Sequence, residues 1–272
     1  MENIAHYRIL EPLGESRLGQ VFRARDTRLG RTVALTIPID EIQNDASKRS
    51  ALLADAHKAM AVSHPNIAAV YEAGDDAGRL YIAFEFVPGD SLDRLIAGHP
   101  LNARRAIDLA TQIADALAEA HAGGMFHGDL TTRRIVVTPK GSAKILDFGF
   151  APWTGVTGTA GDESTDLQAL AALLFEMSTA RSLAIPAPAP STLNKSLPPE
   201  IDAIAAKSHD SAVIFAAELR ALAAILEVRA DAAKHSSTSP SRRRTPRSRT
   251  PWIAGVGAVL AAAAGAAWWW LR

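Results

Sequence analysis

Three charged side chains near the middle of the chain, Asp129, Arg134 and Asp147, are of types that bear on proton transfer and cation binding. A carboxylate can accept a proton or ligate a cation. A guanidinium has only donors and a fixed positive charge, so it can do neither. No cysteine occurs in the 272 residues, which excludes disulfides, thiolate metal sites and cysteine nucleophiles. The 29 basic and 29 acidic residues cancel but are unevenly placed. Residues 1–231 hold 22 basic against 29 acidic residues. Residues 232–251 hold Lys234, Arg242, Arg243, Arg244, Arg247 and Arg249 and no acid. An acidic body followed by a basic neck asks for a partner of opposite sign or a membrane.

Those side chains need a scaffold, and the length suits one large domain or two small ones with an ample core. A hydrophobic content of 48% with 21% charge excludes wholesale disorder. Residues 7–14, 20–26, 31–37, 67–74 and 79–87 predict strands with turn signals between them. A helix is predicted over 46–62, with Leu52, Leu53, Ala56, Ala59 and Met60 on its apolar face. Beyond residue 100 the periodicity is helical. Residues 103–124 put Ile107, Ala110, Ile113, Ala114, Leu117 and Ala120 on one face and end at Gly123–Gly124. Further helices are predicted over 165–180, 199–210 and 211–230. A small β-rich lobe (about 1–87) followed by a mainly helical lobe (about 88–230) is an α+β arrangement with a crevice between.

The C-terminal region reads differently. Residues 231–251 combine Ser, Thr, Pro and Arg without apolar periodicity and predict a disordered basic linker. Its arginines suit anionic lipid headgroups, and the alternative is a solvated spacer whose charges set topology. Residues 252–271 carry no charge, long enough as a helix to span about 30 Å of bilayer core. Trp252 stands at one end and Trp268, Trp269 and Trp270 at the other, which fits interfacial anchoring. The alternative is an apolar helix docked on the globular body. With the arginines before the run, the positive-inside rule puts the N-terminal body in the cytoplasm, as a single-pass protein of the inner (plasma) membrane. Only Arg272 follows Leu271, so no extracytoplasmic sensor domain is expected. Gly257, Ala261 and Gly265 recur at the spacing that lets helices pack closely, which allows a homodimer through this segment. A membrane accounts for the basic neck, so nucleic acid is not expected as a partner.

The order and spacing of several motifs resemble one family, the eukaryotic-like (Hanks-type) bacterial Ser/Thr protein kinases, over roughly residues 7–228. LGESRLGQVFRARD resembles the glycine-rich strand–turn–strand, with Gly14 and Gly19 retained and Ser16 in place of the middle glycine. TVALT resembles the strand of the ATP lysine, SHPNI the segment after the mobile helix, and FEFVPGDSL the hinge. HGDLTTRRIVV resembles the catalytic loop, ILDFG the metal-binding turn and STDLQALAALLFEM the central helix with its buried aspartate, Asp166. The resemblance implies a bilobal protein-kinase-like fold. It implies Asp129 as the aligned base and Asp147 as the aligned metal ligand. It also implies an ATP pocket of Gly14, Gly19, Val21, Ala34, Thr36, Phe84, Glu85, Val87 and Val136, with hinge hydrogen bonds from the backbone of Glu85 and Val87. ATP and magnesium enter through this resemblance alone.

The departures from the pattern bear on activity, because phosphoryl transfer is mostly positioning and charge neutralisation. Thr36 stands at the lysine position and Asp55 at that of its glutamate partner, so their ion pair cannot form. Gly128 replaces the arginine after His127, Thr131 the loop lysine, and Arg134 the asparagine of the second magnesium. Two readings of Arg134 follow: a salt bridge to Asp147 or Asp129 in place of the metal, or a side chain in solvent with both carboxylates free. The eighteen residues between Asp147 and Asp166 hold no counterpart of the Ala-Pro-Glu anchor, and a proline-rich run over 182–200 replaces most of the next helix. These features imply a degenerate, membrane-anchored member: a pseudokinase scaffold or allosteric partner in signalling, with protein partners and no cofactor expected. The alternative is an atypical kinase or ATP-binding switch with weak nucleotide binding.

Overall fold

The computed structural model describes residues 3–154, 161–184 and 186–237. The chain divides into two units, Met1–Val228 and Arg229–Arg272, and the fold below is that of the first. It opens with β1 (Asn3–Ile4), β2 (Tyr7–Glu15), β3 (Gly19–Asp26) and β4 (Thr32–Pro38). The helices α1 (Asp40–Gln43) and α2 (Ala46–Ala59) follow, then β5 (Val70–Asp76) and β6 (Arg79–Glu85). These strands form an antiparallel sheet in the order β1-β2-β3-β4-β6-β5. The register sets Val21 opposite Thr36, and Ala34 opposite Phe84. Asp45 caps α2 by accepting from the backbone N–H groups of Ser47 and Lys48. The helix lays Leu52, Ala56 and Ala59 against a buried cluster that includes Ile82 and Phe84.

The second lobe carries β7 (Asp90–Ser91), α3 (Leu92–Leu95), α4 (Ala103–Ala122), β8 (Ile135–Val137) and β9 (Ala143–Ile145). The helices α5 (Ala151–Thr154), α6 (Glu163–Thr179), α7 (Pro190–Leu193), α8 (Glu200–Ala206) and α9 (Ala212–Ser237) complete it. Its core is the apolar face expected of α4 packed on Leu170, Leu173 and Leu174 of α6 and Phe215, Leu219 and Leu222 of α9. The strands β7, β8 and β9 form a small sheet whose two hairpin strands present the segments on either side of Asp129 and Asp147. The bilobal α+β architecture expected from the sequence is the one observed.

The helices expected over 46–62 and 199–210 end early, at Ala59 and Ala206, and two further boundaries differ from the sequence reading. The strand expected from residue 67 begins at Val70, because the Ala68 N–H and the Asn66 carbonyl, on either side of Ile67, bond instead to Ile145 and stitch the lobes together. The helix α9 runs on to Ser237, into the stretch assigned to the linker from 231; Ala-rich sequence continues a helix once it has begun. Among the described residues no helix is long and apolar enough to cross a membrane. The apolar run 252–271, with its small-residue pattern, and the linker residues 238–251 lie outside the described residues.

Candidate active site

Asp129, Arg134 and Asp147 meet at one place. Arg134 closes a single 3-10 turn (Thr132–Arg134) after the loop, and its backbone N–H bonds the Thr131 carbonyl at 3.0 Å. Its Nη2 lies 3.0 Å from Oδ2 of Asp129, and its Nη1 donates to Oδ2 of Asp147. The Arg134 side chain is only 14% exposed, so the pairs are shielded from water. Asp147 holds a left-handed backbone at φ 55°, a conformation that Asp tolerates better than most residues. Of the two sequence readings of Arg134, the ion pair is observed, and it engages both carboxylates.

The loop is anchored from below. Asp166 of α6, fully buried, accepts from the backbone N–H groups of His127 and Gly128 at 2.8 Å each and from His121 Nε2 at 2.9 Å. The His127 ring donates from Nε2 to the Leu146 carbonyl at 3.0 Å and accepts at Nδ1 from the Asp129 N–H at 3.1 Å. Burial pushes its imidazole below the ordinary histidine range. Phe148 packs edge-on to His127 with centroids 5.4 Å apart. Gly128 adopts φ 73°, and a Cβ there would stand 2.6 Å from the Gly161 nitrogen and 2.7 Å from Ala151 Cβ. The arginine of the family motif has no room at this position.

Thr36 is buried on β4 and carries no charge into the cleft. Asp55 is engaged elsewhere: Trp153 of α5 donates its indole N–H to Oδ2 at 3.0 Å, and Lys58 bonds Oδ1 at 3.1 Å. Arg23, on the strand beside Thr36, pairs with Glu11 at the surface and does not substitute for a lysine. Phe150 is fully buried and meets Phe84 edge-on at 5.3 Å. Leu18, at the tip of the glycine-bearing turn, joins the same buried cluster as Phe150, Phe84 and Ile42. The turn is pinned by Gly19, at φ 157°, whose missing Cβ leaves room for the Ile37 carbonyl.

Beneath that turn lies a cavity of about 560 Å³ lined by Ser16, Arg17, Asp129, Thr131, Arg134 and Asp147, among others. Of the residues expected to form the ATP pocket, Ala34 and Phe84 pack with the Phe150 cluster, and Val136 is buried on β8. Val21 faces Thr36 and Gly14 across neighbouring strands, and Val87 is half-buried at the hinge. The Glu85 side chain bonds Lys144 Nζ at 2.7 Å, a strut from hinge to second lobe. Phe150, Trp153, Leu18 and Gly161 were not singled out by the sequence. Trp153 carried the best available signal, a bulky aromatic isolated in a glycine-rich stretch.

A family model described as the protein kinase domain matches residues 7–180. The chain belongs to the protein kinase family. It is 33% identical over 238 residues to serine/threonine-protein kinase PknD of Mycobacterium tuberculosis, covering 74% of this chain and 36% of that protein. It is 29% identical over 197 residues to PrkC of Bacillus subtilis, covering 64% and 30%. The chain thus spans about a third of the length of these relatives. Its fold is similar to the crystal structure of the Mycobacterium tuberculosis PknI kinase domain in a double-mutant form, with a TM-score of 0.69 at 22% identity, covering 80% of this chain and 96% of that one.

Protein kinases use ATP and magnesium, and the carboxylates of this kinase fold do not fit the metal. Both are already paired with one guanidinium, which occupies the space between them that a divalent ion needs. Among the described residues no group of three or more His, Asp or Glu is placed to hold a metal ion.

Proposed function

We propose that this kinase-family chain is a membrane-anchored pseudokinase, a signalling scaffold or allosteric partner in which phosphoryl transfer is lost. The observation that carries the reading is the bridge from Arg134 to both Asp129 and Asp147. The aligned base already accepts from a guanidinium, and a metal ligand held by the same guanidinium is not free to ligate. The uncharged Thr36 removes phosphate neutralisation on the opposite wall. Each lost charge costs powers of ten in rate where catalysis is electrostatic.

The apolar run 252–271 and the basic neck before it support a single-pass anchor with the kinase domain in the cytoplasm. The partners that follow are the bilayer, anionic lipid at the neck, and signalling proteins. A second reading, a nucleotide switch without metal, rests on the cavity beneath Ser16 and Arg17, which offers backbone and guanidinium donors to a phosphate.

A thermal shift on the full chain in detergent, with ATP and with or without magnesium, separates the readings. No shift in either case is expected for the scaffold. A shift that ignores magnesium favours the switch. A shift that needs magnesium overturns the reading of Arg134.

A further inference from the structure

The helix α9 has two apolar faces, and the fold uses only one. Ala212, Phe215, Ala216, Leu219 and Leu222 are buried in the second-lobe core. On the opposite side, Val213, Ile214, Ile225 and Val228 are 64%, 40%, 43% and 70% exposed. Ala217, Ala221 and Ala224, also exposed, lie between them. At about 100° per residue all of these fall within an arc of about 120°, and no polar residue between 213 and 228 falls inside it. A surface helix ordinarily carries polar side chains there; a helix that is apolar on both faces is one that has both covered.

The charged residues along the edges of this stripe are already satisfied within the chain. Glu218 bonds Lys207, Arg220 bonds both oxygens of Asp115 at 2.6 Å, and Glu227 bonds Arg104 at 2.6 Å. No charge is left at the stripe to recruit an oppositely charged protein or a lipid headgroup. We infer that the stripe docks the same stripe of a second copy of this chain.

Three features favour this occupant. The large residues stand at the two ends and the alanines in the middle, so two copies crossing at the centre let their backbones approach and interlock the ends. That pattern complements itself whether the helices run parallel or antiparallel. Ala221 lies next to the midpoint of 213–228, so its two copies face each other in either arrangement. A membrane surface fits less well, because alanine supplies little insertion energy and the polar flanks lack the free lysines and arginines of surface-lying helices.

Sixteen residues of helix measure about 24 Å, so the contact falls well short of the roughly 1,000 Å² of a stable interface. Such a contact is weak in solution and gains from tethering. Here the inference leans on the membrane reading: a neck of fourteen residues, 238–251, separates α9 from the apolar run. Two chains in one bilayer meet at high effective concentration.

The absence of cysteine makes the test direct. Full chain carrying Ala221→Cys is reconstituted into phosphatidylcholine vesicles, checked by flotation, and oxidised. Disulfide dimer should form roughly tenfold faster than for Ser50→Cys, on the exposed face of α2. Adding Ile214→Glu and Ile225→Glu, both at exposed positions, should abolish the difference with helix content unchanged by circular dichroism. Equal rates at the two positions, or rates indifferent to the glutamates, overturn the inference. Protection of Ala221→Cys from a water-soluble maleimide only when vesicles are present, without cross-linking, marks lipid as the occupant and also overturns it. If the chain does not float, the anchor reading fails on its own, and the same comparison at high protein concentration in solution decides the α9 contact.

Discussion

Trp153 reaches across 98 residues of sequence to donate its indole N–H to Asp55 at 3.0 Å. The bond ties α5, immediately behind the Asp-Phe-Gly turn, to α2, and Phe150 one turn earlier fills the space against Phe84. Asp55 stands where the family places the glutamate that meets the ATP lysine. Here both members of that pair have other roles: Thr36 is sealed in the sheet, and Asp55 holds α5. The Trp153→Phe variant keeps an aromatic ring, smaller than the indole, and removes the donor. We expect a loss of about 1–2 kcal/mol, as for one hydrogen bond to a charged group. A double-mutant cycle with Asp55→Ala, followed by urea denaturation, should return a coupling of similar size. Additive single effects would show that the bond contributes nothing.

Arg134→Asn removes the guanidinium from between two partly enclosed carboxylates. The unpaired acids should destabilise the domain by about 2–3 kcal/mol. They should also create what the wild-type chain lacks, a pair of free carboxylates beside an amide oxygen. Magnesium should then raise the melting temperature of the variant and leave the wild type unchanged. A magnesium-dependent rise in the wild type would show that the bridge yields readily to metal.

Much of this was legible in the sequence, and the limit has a physical cause. The strands and long helices carry period-two or helical patterns that survive any partner, so β2, β3, β4, β6 and α4 lie where the patterns put them. The Arg134 pairing was legible only as one of two readings: the family resemblance placed a guanidinium near two carboxylates, and the packing around it selects the bridge over solvent. What was not legible depends on contacts distant in sequence. α5 is four residues long and exists because Phe150 and Trp153 find partners 66 and 98 residues upstream. Gly161 matters only because its backbone lies against Gly128, and no local pattern announces that.

That contact gives a prediction about repair. Restoring the arginine of the family motif, Gly128→Arg, should not rescue the loop. The position holds φ 73°, which costs a residue with a Cβ about 1–2 kcal/mol. The new side chain would also have to displace the Gly161 backbone, whose nitrogen lies 2.6 Å from where the added Cβ would stand. Gly128→Ala should already lower stability by about 3 kcal/mol, with the arginine variant worse. Urea midpoints of the pair test this, and a neutral Gly128→Ala would show that residues 128 and 161 part easily.

The buried histidines set an acid limit on the fold. Burial depresses the imidazole of His127, against the opposing pull of Asp166. Burial likewise depresses that of His209, which stacks on Phe215 at 3.7 Å and faces Glu218 at 3.3 Å. In the unfolded chain both rings titrate near an ordinary value of about 6.5. Below that pH the unfolded chain takes up protons that the folded chain refuses, so stability falls as pH falls. Above it both states are neutral at these rings and the contribution is fully present. The urea midpoint should therefore decline from about pH 6.5 downward, before the depressed carboxylates Asp26 and Glu218 lose their own contribution at still lower pH. His209→Gln removes one of the two groups, so its midpoint should fall less between about pH 7 and pH 5 than that of the wild type. A slope unchanged by His209→Gln would mean that this ring charges in place without disturbing its stack on Phe215.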